Sequence, residues 1–425
     1  MKPSSKFILL LNSLLIFPAA GLCDEPFRHV ISSTSPSRND VEWRTSSENV
    51  TPHCDHHWWI QKSTLHGGRQ EGVEQIVINN GRMEIVLCPT RGMGIMSVRM
   101  GNVHLKWDSP VKEVVHPQYI NLASRGGLGW LEGFNEFMCR CGLENNGHPG
   151  TDKFVNNVGE ESEMELTLHG KISNIPASHV EVAVDRTAPY AIHIKGLVNE
   201  RFLFGPKLEL HTELIVVPGE NTFQLKDEIR NTGSQEQEFQ IIYHANFGSP
   251  ILQEGARVVA PATDVQPFND HAAKDLDRWH TFDAPQAGFV EQVYLLTPKG
   301  DQNNHTTALI HDKAFNTAAS ISWSLNQLPY LTVWKNTGAS EDGYVTGIEP
   351  GTNFPNNRSV ERAAGRVPKL AAGESRHITL TFGLYDGLAE VKNALTAVNS
   401  LTLSGEAIDS PPIEVPKIDR LKPRQ

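Results

Sequence analysis

From residue 179 to residue 248 the chain is a succession of strand patterns separated by short turns: "HVEVAVDR", "YAIHIKGLVNER", "KLELHTELIVVP", "NTFQLKDEIRN" and "EQEFQIIYHANFG". In "YAIHIK", Ile192 and Ile194 alternate with His193 and Lys195, the period-two pattern of a strand with one buried face. The breaks "VPGEN" and "RNTGSQ" supply Gly, Pro and Asn, which favour turns. Breaks this short hold no crossover helix, so neighbouring strands are expected to run antiparallel. Helical patterns are confined to "GLAEVKNALTAVNSL" near the C-terminus and a turn around "NDHAAKDLDRW". The expected fold is all-β, a large antiparallel β-sandwich and not a parallel α/β sheet. The absence of an internal repeat argues against a propeller.

The ends of the chain read differently. Lys2 and Lys6 precede "FILLLNSLLIFPAAGL", an apolar run too short for a spanning helix and closed by Ala19, Ala20 and Gly21. Residues 1–22 are therefore expected to be a secretory signal, with the protein exported to the periplasm or the exterior. Leu22 before Cys23 disfavours a lipoprotein site, where a small residue belongs, so no membrane anchor is expected. Residues 23–59, rich in Ser, Thr, Asn and Pro, read as an extended arm. The sandwich should occupy residues 60–392, leaving 393–425 as the end of the helix and a Pro-rich tail. Of the cysteines, Cys54, Cys88, Cys139 and Cys141 follow the signal; no C-x-x-C is present and no pairing is assigned.

Charge narrows the partners. Lys and Arg number 38 against 49 Asp and Glu, a net charge of −11, with no basic run to match a phosphate backbone. Nucleic acid is not expected. Neither G-x-S-x-G nor G-x-x-x-x-G-K occurs, so serine-hydrolase and nucleotide-dependent chemistry lack support.

Several residues have the chemistry for a site. Glu349, in "GIEPGTNFPN", sits where a strand gives way to a loop, and partial burial there would raise its pKa toward that of a useful base. His244, in "QIIYHANFGSP", follows an apolar run and could exchange protons, with Tyr243 and Asn246 available to orient it. Residues 125–150, "RGGLGWLEGFNEFMCRCGLENNGHPG", combine Gly bends with Trp130, Phe134 and Phe137, a composition suited to stacking on sugar C–H faces. Trp334 offers a further ring. "HCDHHWW" (residues 53–59) invites a metal, but adjacent histidines diverge and no second cluster completes a ligand set, so neither metal nor cofactor is expected.

Taken in order, "RGG" at Arg125, "HGKISNIPA" at His169, "YHANFG" at His244, "GIEPGTNFPNN" at Glu349 and the late "LAAGESRHITLTFGL" resemble the galactose mutarotase-like superfamily, specifically its bacterial aldose 1-epimerase-related proteins. The resemblance covers residues 60 to about 390. It implies an isomerase interconverting the α and β anomers of a free sugar, with Glu349 as base, His244 as acid, and no metal or cofactor. It also implies His169, Arg125, Arg91, Asn246 and Trp334 around the substrate. His66, in "LHGG", looks like a family histidine but precedes the Arg- and Gly-rich loop; His169 follows it and is the one carried over. Ser173 stands where relatives acting on sugar phosphates resemble an Arg, which points to a neutral sugar or a sugar acid paired with Arg125 or Arg91. Two alternatives remain: a non-catalytic carbohydrate-binding protein, and a glycoside hydrolase or polysaccharide lyase. The hydrolase needs a second carboxylate from among Asp108, Glu132, Glu136 and Asp227.

Overall fold

The computed structural model describes residues 25–404. The expected signal segment, Cys23 and most of the Pro-rich tail lie outside the described residues.

The strand patterns fold as the alternation requires. His179–Val184, Ile192–Arg201, Lys207–Val216 and Thr222–Asn231 are successive antiparallel neighbours in a ten-stranded sheet. Their register aligns Ile194, Leu214, Leu225 and Leu380 in one buried row. The neighbouring row, Glu181, Lys195, Glu213 and Lys226, alternates in charge on the opposite face. Side chains one residue apart point to opposite faces, so one register sets both rows.

The fifth pattern leaves this sheet. Gln240–Phe247 joins a twelve-stranded sheet, between Met138–Leu143 and Val345–Gly351. The two sheets share one apolar core, to which Val182, Ile194 and Leu210 contribute from one side and Ile85, Ile241 and Val333 from the other. This is the expected all-β sandwich. Across its core Arg140 reaches Asp227 (Nε to Oδ2 2.5 Å) and Thr212 (2.6 Å), and the Tyr243 hydroxyl donates to the same carboxylate at 2.8 Å. Breaking one partner of such a buried pair costs about 3–5 kcal/mol, because the other charge is left uncompensated.

The N-terminal arm is woven into both sheets. Phe27–Thr34 pairs with His179–Val184, and Trp43–Ser46 with Trp59–Thr64. The buried Lys62 ammonium ties the connection down through Asn39, the Asp40 carbonyl and Glu74. At the other end, Leu388–Ser404 forms the expected helix and lays Val391, Ala394 and Val398 against the ten-stranded sheet. Among the described residues no helix is long and apolar enough to cross a membrane, and Cys54, Cys88, Cys139 and Cys141 are free thiols.

Candidate active site

Four adjacent strands of the larger sheet build the floor of the site: Met138–Leu143, Gln240–Phe247, Val345–Gly351 and Tyr330–Asn336. Odd positions of the second strand, Ile241, Tyr243 and Ala245, face the inter-sheet core. Its even positions, Ile242, His244 and Asn246, therefore face outward. Cys139 lies opposite His244, and Thr332 opposite Glu349. The flanking pairs Ala245↔Ile348 and Ile242↔Gly351 place His244 directly across from Glu349. One cross-strand row thus reads Cys139, His244, Glu349, Thr332.

That outer face is covered, which is why all eight residues of Gln240–Phe247 are buried. Trp130, Phe134 and Leu168 come down from loops onto Ile242, Cys139 and Cys141, with Trp107 and Trp334 alongside. Ring centroids place Phe134 5.2 Å, Trp334 5.6 Å and Trp130 6.1 Å from His244. Phe137, grouped with these aromatics in sequence, points instead into the inter-sheet core beside Phe247 and Phe382.

At the centre of this aromatic cup His244 Nε2 lies 3.2 Å from Glu349 Oε1, with the two residues only 4% and 2% exposed. The pair is close without being aligned as a hydrogen bond, and Oε1 is buried with no hydrogen-bond partner. The tautomer of His244 follows from its other neighbour. Asn246 donates through Nδ2 to the carbonyls of Glu136 (3.0 Å) and His244 (3.2 Å), which fixes its amide. Its Oδ1 must then accept from His244 Nδ1 at 2.8 Å, so in the neutral ring the lone pair sits on Nε2, facing Glu349.

Electrostatics sets where the proton rests. Burial, then the nearby charge of Glu291, holds the Glu349 carboxyl well above its usual range. Burial, then the neighbouring His169, holds His244 well below its own. Burial also lowers His169 to about 4. Both shifts favour the uncharged forms of the pair, a protonated carboxyl and a neutral imidazole. These shifts run against the charge pattern of the expected mechanism, carboxylate on Glu349 and imidazolium on His244, because in a low-dielectric site each charged form loses its hydration.

His169 joins the pair. It occupies the turn after Leu168 at φ +58, gives its Nδ1 proton to the Asn146 carbonyl at 2.8 Å, and brings its ring 5.3 Å from that of His244 and 4.6 Å from Trp130. His66 stays in an exposed turn, paired with Glu71 at 2.9 Å.

The remaining residues separate by place. Trp334 lines the site and donates its indole N–H to Glu291 at 2.8 Å. Asn246 is fully buried and orients His244, with no face left for a ligand. Arg91 is also sealed in: its guanidinium bonds Glu136 (3.0 and 2.8 Å) and the carbonyls of Val115 and Gly133. At 1% exposure it lies out of reach of a sugar acid. Arg125 is exposed on the Ser124–Gly127 turn at φ +52. Ser173 is buried and accepts the Trp130 indole N–H at 2.8 Å.

Of the carboxylates considered as partners for Glu349, Asp108 pairs with Lys112, Glu132 with Ser124, Glu136 with Arg91 and Asp227 with Arg140. The carboxylate whose charge reaches Glu349 is Glu291, at the start of Gln292–Pro298, where nothing in "GFVEQVYLL" sets it apart. Among the described residues no cluster of His, Cys, Asp or Glu is arranged to hold a metal, the segment at residues 53–59 included.

The two-sheet sandwich, which here carries a histidine and a glutamate side by side in an aromatic cup on its larger sheet, has the fold of the galactose mutarotase-like proteins. Within that class the chain belongs to the family described as a domain of unknown function, DUF4432, whose model matches residues 70–384. It is similar to the crystal structure of a "putative aldose 1-epimerase" from Klebsiella pneumoniae subsp. pneumoniae MGH 78578. The two share 41% identity over 90% of this chain and 97% of that one, with a TM-score of 0.84. A galactose mutarotase-like protein from Clostridium acetobutylicum shares the fold at 14% identity, covering 77% of this chain and 98% of its own, with a TM-score of 0.54. No curated protein matches.

Proposed function

We propose that this protein is an aldose 1-epimerase-like isomerase that interconverts the α and β anomers of a free sugar. The observation that carries the reading is the buried His244–Glu349 pair, 3.2 Å apart, with one carboxyl oxygen left without a hydrogen-bond partner inside an aromatic cup. An unpaired buried carboxyl oxygen costs stability, and such strain gathers where chemistry needs it.

The steps follow from one shared proton. It moves from Glu349 Oε1 to His244 Nε2 across the short gap. The carboxylate then takes the proton of the C1 hydroxyl while Nε2–H gives its proton to the ring oxygen. The C1–O5 bond breaks, leaving an open-chain aldehyde and a C5 hydroxyl. After rotation about C1–C2 the same transfers run backwards and close the ring on the other face. Atoms and charge balance without a further reactant. Each positioned transfer contributes roughly 10²–10⁴-fold. Asn246 keeps Nε2 as the working nitrogen, His169 and Glu291 offer polar contacts to ring hydroxyls, and Trp334 offers a flat face to the sugar.

A neutral sugar suits this site better than a sugar acid, since Arg91 is spent on Glu136 and both imidazoles rest uncharged. We also propose export, on the strength of the N-terminal apolar segment.

Polarimetry on freshly dissolved α-anomers tests the reading. The wild type should speed the approach to equilibrium for at least one neutral aldose, and Glu349→Gln and His244→Asn should each remove most of that acceleration. Binding without acceleration in the wild type would instead indicate a carbohydrate-binding protein. Rates unchanged in both variants would remove these residues from the mechanism.

A further inference from the structure

The loop that anchors His169 and the loop that follows Glu349 are far apart in sequence, yet they are fastened to each other by side-chain amides. Asn146 donates through Nδ2 to Asn353 Oδ1 at 3.0 Å, and Asn353 donates through Nδ2 to Asn146 Oδ1 at 2.9 Å. Both residues are buried, at 0% and 1% exposure. The orientation of Asn353 is fixed, because its Nδ2 also donates to the Phe354 carbonyl at 2.7 Å and its Oδ1 also accepts from the Thr352 hydroxyl at 2.8 Å. Asn146 can only be its complement.

The surroundings extend this fastening. The His148 amide donates to the Pro355 carbonyl at 3.0 Å and the His169 amide to the Gly147 carbonyl at 2.9 Å. Gly147 passes so close to Asn356 that a Cβ there would overlap the Asn356 carbonyl oxygen. Thr352 ties the second loop to the sheet floor, accepting the Ile241 amide at 3.0 Å. On one side of the strap the Asn146 carbonyl holds His169 Nδ1 at 2.8 Å; on the other, Asn353 lies four residues beyond Glu349.

We infer that the reciprocal Asn146–Asn353 amide pair is a positioning device, locking the distance between His169 and the His244–Glu349 pair so that all three meet one ligand. The inference rests on the epimerase reading for its purpose but not for its test. Neither asparagine is a catalytic residue; each acts through a group it holds. A mere packing role would be filled by any residue of similar volume, whereas a lock requires two complementary donor–acceptor groups. Hydrogen-bonded side chains in one buried network respond together when one is changed.

The test reads His169 directly. Imidazole ¹⁵N–¹H spectra of the full chain report the Nδ1–H bond to Asn146, and the anomer-exchange rate reports function. Asn353→Ala is expected to shift the His169 signals, although residue 353 does not touch that ring, and to lower kcat by about 10²-fold, the scale of a small misplacement of reacting groups, with KM little changed. Asn146→Ala should do the same, and the double variant should be no worse than either alone. Should Asn353→Ala fail to fold, the isosteric Asn353→Asp serves. Its carboxylate, ionised at neutral pH, opposes Asn146 Oδ1 and cannot donate to it, so the His169 signals should shift at neutral pH as they do in the truncation. Unmoved His169 signals in folded Asn353→Ala or in Asn353→Asp at neutral pH, or additive losses, would each overturn the lock. If no sugar is epimerised the functional reading fails, yet the His169 spectra still decide the lock.

Discussion

Gly347 leaves the space that the Glu349 carboxyl occupies: a Cβ at position 347 would overlap Glu349 Oε1. The two residues lie two apart on the same strand face, so the only side chain that lets Glu349 lean toward His244 is no side chain at all. Here the glycine answers to close approach.

Gly347→Ala should therefore displace Glu349 from Nε2. Anomer exchange measured by polarimetry should fall by about 10²-fold, as expected for a misplaced reacting group. Thermal unfolding should record a loss of about 1–3 kcal/mol from overpacking. A full-speed Gly347→Ala would mean that Glu349 need not sit where it does.

Glu291 raises the Glu349 pKa through its charge. In Glu291→Gln that push disappears, so the pair should lose its shared proton at lower pH. The basic limb of the pH–rate profile should move toward acid, with the acid limb little changed. A profile identical to wild type would separate Glu291 from the pair.

His169 titrates near 4 when folded, against the usual 6.5. A depressed folded pKa means the folded state binds fewer protons, so this stabilisation is complete above 6.5 and lost as pH falls toward 4. The full effect is on the order of 3 kcal/mol. Urea titrations at neutral and mildly acidic pH should show a smaller acid loss in His169→Asn than in wild type. An equal loss would place the sensitivity elsewhere.

Arg91 should behave as a framework residue. Arg91→Met strands Glu136 in the interior and should cost about 3–5 kcal/mol in thermal or denaturant unfolding. It should bring no selective loss of affinity for sugar acids over neutral sugars. A selective loss would return Arg91 to the ligand.

How much of this was legible beforehand varies residue by residue. The row Ile194, Leu214, Leu225 and Leu380 could be anticipated from alternation alone. His244 and Glu349 were recognisable from motifs in order, and Phe137 was misgrouped with Trp130 and Phe134 because one loop supplies both layers. Arg91 and Asn246 carry donors that suit a sugar. Only their burial against Glu136 and His244 reveals that they are closed off from a ligand. Glu291 carries no local mark, since its place depends on the pairing of its strand with the one bearing Trp334.

The sequence by itself determined the local conformation: which segments extend, which face of each strand is apolar, and where the chain turns. Those properties depend on neighbours within a few residues. Tertiary structure decided the exit of Gln240–Phe247 into the second sheet, the meeting of His244 with Glu349, and the raised pKa of that carboxyl. Those outcomes depend on strand partners about a hundred residues away and on the exclusion of water, which no local pattern encodes.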